Sequence, residues 1–189
     1  QVLLLKKGND AQRAKAVRVL GKHAKRAPKE VAATDGALGA LVQVLVDESD
    51  LSRAAATVLV DVAEADSLAL FMRVPDIGRL LCSIARDEEI REATLPQLVR
   101  LLRLLTMRSG GGVLETKEQL AEFANAVAKL WRSVGSEGET FRDLMGAVAN
   151  LAKIDPFLMG SKFIVDRIAT LTFAEEPCAE VLVAVRCLA

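Results

Sequence analysis

The sequence contains an internal repeat. Residues 13–45 align with residues 52–84 without a gap. The identical pairs are Ala16/Ala55, Val19/Val58, Leu20/Leu59, Ala24/Ala63, Gly39/Gly78 and Leu41/Leu80. A repeat of this kind is typical of proteins in which similar units stack, because one unit cannot bury its apolar face alone. We therefore expect units that pack in series.

Each copy of the repeat predicts a long helix, a short segment marked by proline or aspartate, and a second helix that begins near a glycine. Long helices are predicted at 11–26, 51–65, 90–107, 138–154 and 177–189, and second helices at 36–47, 76–87, 116–133 and 161–173. Because no stretch shows the alternation of a β-strand, the predicted fold class is all-α.

Three local signals refine these helices. Pro96 predicts a helix break near residues 94–96, with a kink as the alternative, since proline removes a backbone donor. Thr116 with Gln119, and Thr140 with Asp143, have the spacing of capping boxes. The segment 109–112, Ser-Gly-Gly-Gly, predicts a flexible linker where the third unit lacks its short helix.

The composition excludes several classes of protein. Hydrophobic residues make up 51% of the 189 residues, but only six Phe and one Trp are aromatic, so the apolar content is nearly all Ala, Val, Leu and Ile. Disordered chains combine low hydrophobicity with high net charge, whereas the formal net charge here is zero. Charges interrupt every apolar run before it reaches the about 18 residues of a membrane span. Three cysteines without a C-x-x-C pair indicate buried thiols in a reducing compartment, such as the cytoplasm.

Two segments carry a family resemblance. Residues 19–47, VLGKHAKRAPKEVAATDGALGALVQVLVD, and residues 150–171, NLAKIDPFLMGSKFIVDRIATL, resemble armadillo repeats. The resemblance implies a right-handed α-solenoid of about four armadillo-like repeats over residues 1–189, as one segment of a longer chain whose ends are cut within repeats. HEAT-type helix pairs are the near neighbour, and the departure at 109–114 fits them locally.

Charge is distributed unevenly along the chain. Residues 1–30 hold nine Lys or Arg and two acidic residues, so they carry a net charge of +7 and the remainder carries −7. At about 100° per residue, five cations of the first long helix fall within an arc of about 100°. They are Lys15, Arg18, Lys22, Lys25 and Arg26, here named the basic strip. This strip is either a solvated helix face or a docking site for an acidic partner segment or for phosphates. In armadillo proteins the corresponding helices line a concave groove, and the resemblance places the strip there.

Catalytic chemistry has little support in the sequence. His23 is the only histidine, and we expect it either to be packed or to lie at the edge of an apolar face, since nothing in the sequence points to a nucleophile or carboxylate directed at it. Nucleotide-binding and hydrolase motifs are absent. Acidic clusters at 47–50 and 87–89 lie at helix junctions, where they favour the next helix N-terminus. We therefore predict no enzyme activity, no cofactor, no metal site and no small-molecule substrate.

The predicted function is a non-catalytic protein–protein interaction scaffold, acting as a subunit or adaptor in a larger assembly, without membrane insertion. The alternative is an RNA-binding helical-repeat module that uses the basic first helix. Importin-type armadillo proteins bind basic peptides through Trp and Asn on successive long helices. Here Asn150 is the possible Asn, but Val19 and Val58 stand at the corresponding positions of the first two units, and Gly146 stands where Trp is expected. Trp131 lies on another helix, where we expect core or edge packing. Recognition of nuclear-localisation peptides is therefore not predicted.

Overall fold

The structure is a computed structural model that describes residues 1–47, 49–107, 116–135, 137–156 and 179–188. Every regular element in these ranges is an α-helix, which confirms the all-α class. The helices are α1 (Val2–Lys7), α2 (Asp10–Ala24), α3 (Pro28–Ala33), α4 (Ala37–Asp47), α5 (Ser49–Arg73), α6 (Ile77–Ile84), α7 (Glu88–Met107), α8 (Lys117–Leu130), α9 (Gly138–Ile154) and α10 (Ala179–Leu188). The predicted helix at 161–173, the linker at 109–112 and most of the quoted segment 150–171 lie outside the described residues.

The long helices pack in the order of the chain. Helix α2 contacts α5, α5 contacts α7, α7 contacts α9, and α9 contacts α10. The shorter helices pack on this series and on each other, α1 against α4 and α6 against α8. One apolar cluster runs through all of these contacts from Leu5 to Ala184. Small residues such as Ala16 and Ala55, which are fully buried, let the helices approach closely.

Helix α5 shows how the repeat is built. Asp66 has a non-helical backbone and divides α5 into a long and a short part. Its Oδ1 accepts a hydrogen bond from the backbone N–H of Ala69 at 3.0 Å, which caps the short part. The aligned copies of the internal repeat are 39 residues apart, as in the pair Ala16/Ala55. At this spacing the short part of α5 corresponds to α3, and each of the two follows a long helix. The predicted boundary at residue 65 is thus correct.

The predicted helix break at Pro96 is wrong, because α7 continues through this residue. A proline inside a helix costs about 3 kcal/mol. The residues that follow it bury a complete apolar face between α5 and α9, including Leu98, Leu101 and Leu105. Burial of each such side chain contributes about 1.5–3 kcal/mol, and the sum exceeds the cost of the proline.

The helix starts follow capping chemistry only in part. Thr116 Oγ1 accepts from the Gln119 N–H at 3.1 Å, as its spacing predicts. Thr140 and Asp143 do not form the predicted cap, because α9 begins at Gly138 and both residues lie within the helix. Helix α2 has a complete capping box between Asn9 and Gln12, with both bonds at 3.0 Å.

Cys82 is a free and buried thiol. Cys178 and the side chain of Cys187 lie outside the described residues. None of the helices in the described part of the chain combines the length and the apolar character that crossing a membrane requires.

Candidate interaction surface

The basic strip lies on the solvent face of α2 and its final turn. Ala16, Val17, Leu20 and Ala24 are buried on the opposite face, which fixes the rotation of the helix about its axis. All five strip residues are consequently exposed. Within the described residues, none of the five forms an ion pair with a carboxylate.

Part of the strip also has a structural role. Lys22 lies in the last turn of α2, and Lys25 is its C-cap residue. Cations at this position interact favourably with the partial negative charge of a helix C-terminus, typically by about 0.3–1 kcal/mol. Lys15 and Arg18 lie further from that end, so the helix terminus does not account for the whole strip.

His23 lies at one flank of the strip, in an edge position and not packed in the core. Its side chain is 51% exposed, and Nε2 lies 3.1 Å from Oε2 of Glu30 on α3. The turn after α2 brings this carboxylate back to the histidine. An exposed pair of this kind contributes little to stability. It nevertheless places an acidic group beside the cations.

Asp61 of α5 lies at the other flank. Burial raises the pKa of its carboxyl above the usual range, the Lys25 ammonium opposes this shift, and Glu64 adds to it. Lys25 is therefore close enough to act on Asp61 electrostatically. Lys25 at the end of α2 and Asp61 of α5 therefore influence each other electrostatically where these two helices pack.

A network of ion pairs continues across α5, α7 and α9. Arg100 of α7 donates to Glu64 of α5 at 2.6–2.8 Å and to Glu139 of α9 at 2.8 Å. The hydrogen bond to Glu64 is the main cause of a raised Arg100 pKa. Arg103 of α7 donates to Asp143 of α9 at 2.7 Å. Three successive long helices are thus joined by charged side chains.

Arg100, Glu64, Glu139 and Asp143 of this network line a surface pocket of about 300 Å³ between the three helices, together with residues such as Thr57, Gln97 and Thr140. This surface is not among those predicted from the sequence, although the sequence contains a signal for it. Arg100 and Glu139 are 39 residues apart, and Arg103 and Asp143 are 40 apart. Opposite charges separated by one repeat length predict ion pairs between adjacent units.

Asn150 and Trp131 are of the residue types by which importin-type armadillo proteins bind peptides, and both make contacts within the fold. Asn150 of α9 donates to Thr106 Oγ1 of α7 at 3.4 Å and to the Arg103 carbonyl at 3.5 Å. Trp131 at the end of α8 is 2% exposed, so of the two predicted environments, core or edge, it occupies the core. Among the residues described, no three His, Cys, Asp or Glu side chains are close enough to hold a metal ion.

Comparison with known proteins identified no relative of this chain. No protein-family model matches the chain. No curated protein and no solved structure matches it either.

Proposed function

We propose that this chain is a segment of a right-handed armadillo-like α-solenoid of about four repeats that binds a partner protein and catalyses no reaction. The internal repeat, the packing of long helices in chain order and the continuous core support the solenoid. The free, buried thiol of Cys82 supports the cytoplasm or another reducing compartment.

The basic strip is the observation that carries the binding function. Five exposed cations on one helix face, none paired with a carboxylate of the described residues, give a local positive potential that attracts an anionic segment. The partner on this surface is therefore an acidic segment of another protein. Charge complementarity of this kind raises association rates and selects partners.

RNA is the second candidate, because phosphates also suit exposed Lys and Arg. The flanks of the strip oppose it. Glu30 lies on one side and Asp61 on the other, so a phosphate backbone that extends beyond α2 meets carboxylates. Base stacking has little support either, since the chain has no Tyr and Trp131 is buried.

Fluorescence anisotropy with the purified chain tests the proposal. The probes are a glutamate-rich peptide as long as α2 and a single-stranded RNA of equal charge, each measured over a range of salt concentrations. We expect the peptide to bind more tightly than the RNA and more weakly as salt rises. The double variant Lys15→Glu with Lys22→Glu should lose at least about tenfold in affinity, which corresponds to about 1.4 kcal/mol.

The matched control is Lys117→Glu with Lys153→Glu. It makes the same change in net charge at two exposed positions, and Lys153 lies in the last turn of α9 as Lys22 does in α2, so these two substitutions carry a similar helix-terminus effect. The control should bind like the wild type. Equal losses in both variants, or tighter binding of the RNA, would contradict an acidic protein partner on the strip.

A further inference from the structure

The spacing and surroundings of the strip restrict the shape of its partner. We infer that the partner segment is an acidic α-helix that lies lengthwise along α2, and not an extended segment that crosses from α2 to α5. This inference rests on the proposed function, since it specifies the partner of the same surface.

The first observation is the register of the cations. Lys15, Arg18, Lys22 and Arg26 are separated by three, four and four residues. Within α2, at a rise of about 1.5 Å per residue, Lys15, Arg18 and Lys22 span about 10 Å with a mean step of about 5 Å, and Arg26 follows in the turn after the helix. A partner helix with acidic residues at the same offsets presents one carboxylate to each cation. In an extended strand, residues on one face are about 6.6 Å apart, so its carboxylates fall out of step with the cations of α2 within a few residues.

The second observation is the charge on both flanks. On the α5 side, Lys25 lies near Asp61, and Glu64 follows one turn later on α5. On the other side, Glu30 is held at His23. An acidic segment that crosses the strip meets carboxylates on leaving it in either direction, whereas a segment that follows the strip from Lys15 to Arg26 meets its cations in succession.

The third observation is an exposed apolar residue next to the cations. Val19 is 38% exposed, although Val58, its equivalent one repeat later, is 2% exposed. Val58 packs near α2, where its Cγ2 would lie 3.3 Å from a Cβ atom at Gly21. Val19, in contrast, leaves an apolar side chain open beside the strip. A partner helix can cover Val19 when an apolar residue lies beside its row of acidic residues. The inferred partner helix is therefore amphipathic.

Three peptides as long as α2 and of identical composition test the inference by anisotropy. The first places Glu at offsets of three and four residues on one helix face, with Ala elsewhere and one Leu beside the Glu line. The second distributes the same Glu residues around the helix. The third has the first peptide's Glu positions but exchanges one central Ala for Pro, with a matching Pro placed at the N-terminus of the other two. Circular dichroism measures helicity in each complex.

We expect the first peptide to bind at least about tenfold more tightly than the other two, and to gain helicity on binding. A photo-cross-linker at either end of this peptide should label the two ends of α2, near Asn9 and near Pro28. Labelling of α7 from one end would show a crossing orientation and overturn the inference. Equal affinities of the three peptides would overturn it as well.

Failure of the inference is separable from failure of the proposed function. When all three peptides bind equally and Lys15→Glu with Lys22→Glu removes their binding, the strip still binds acidic segments and only the helical, lengthwise partner is wrong. When none of the peptides binds, or the strip variant binds them like the wild type, the proposed function itself is wrong. Displacement of the first peptide by equimolar RNA of equal charge would assign the strip to nucleic acid and overturn both.

Discussion

Gly39 and Gly78 occupy equivalent positions one repeat apart but have different surroundings. A Cβ atom at Gly78 would lie 2.7 Å from Cε2 of Phe123, whereas nothing lies within 4 Å of a Cβ at Gly39. The Phe123 ring is fully buried and stacks on Phe71 with centroids 5.7 Å apart, so it cannot easily move away. Only Gly78 is therefore required for the close approach of α6 and α8.

We expect Gly78→Ala to lower the free energy of unfolding by about 1–3 kcal/mol, the cost of overpacking a core. Gly39→Ala is the matched control. It should raise the same quantity by about 0.5–1 kcal/mol, because alanine is the better helix former on an exposed face. Urea denaturation of both variants measures the difference. Equal effects of the two substitutions would contradict the contact between α6 and Phe123.

Asp61 gives a prediction about pH. Burial raises the pKa of the Asp61 carboxyl in the folded chain, so the fold favours the protonated form over the charged form. The free energy of unfolding is therefore higher at low pH and falls as pH rises through the folded pKa. Asp61→Asn removes the charge and should raise the free energy of unfolding at pH 7. The gain should shrink as pH falls and the wild-type carboxyl is protonated. Urea denaturation between pH 4 and pH 8 measures this, and a gain that grows toward pH 4 would contradict it.

At the scale of the helix, the contribution of an ion pair to stability depends on its burial and not on how many pairs one residue forms. Arg100 bridges two carboxylates, but its side chain and those of Glu64 and Glu139 are 42% exposed or more. Arg103 pairs with Asp143, which is 9% exposed, and removal of its cation leaves a buried carboxylate. Exposed pairs contribute about 0–1 kcal/mol, whereas breaking a buried pair costs about 3–5 kcal/mol.

We therefore expect Arg103→Ala to destabilise the chain by about 2–3 kcal/mol, reduced from the buried value because Arg103 is partly exposed. Arg100→Ala should cost about 1 kcal/mol or less. Asp143→Asn should restore much of the loss in the Arg103→Ala background, which a double-mutant cycle measures. A larger loss for Arg100→Ala would show that exposed bridging, and not burial, holds α7 to α9.

The helices themselves could be predicted because their information is local. Apolar periodicity and the internal repeat placed the long helices and the described second helices within a few residues of their observed bounds. Pro96 could not be judged locally, since the burial of Leu98 and Leu101 against α5 and α9 outweighs its cost. Asp143 was misread as a cap because its partner, Arg103, is 40 residues away. The basic strip lies on one helix and was predictable, whereas the acidic groups at its flanks come from α3 and α5.

At the scale of the whole molecule, helices contact helices that are near them in the chain. A substitution in one helix should therefore affect the stability of the neighbouring helices most. Each long helix packs on the long helices before and after it and on the short helices beside them in the chain, so residues in α4 and α9 share few neighbours. In such an arrangement, stability approximates a sum over units and their interfaces. Opening of one end does not require opening of the other, and free energies of local opening can differ along the chain.

Leu41 of α4 and Leu151 of α9 test this locality, since both are fully buried. Each Leu→Ala substitution should cost about 2–5 kcal/mol. Hydrogen exchange with mass spectrometry should show faster exchange of α2, α4 and α5 in Leu41→Ala, with α8 and α9 close to wild type, and the reverse in Leu151→Ala. Uniform acceleration along the chain in both variants would show a single cooperative unit. Locality also bears on binding, because the strip on α2 should then lose affinity in Leu41→Ala well before it does in Leu151→Ala.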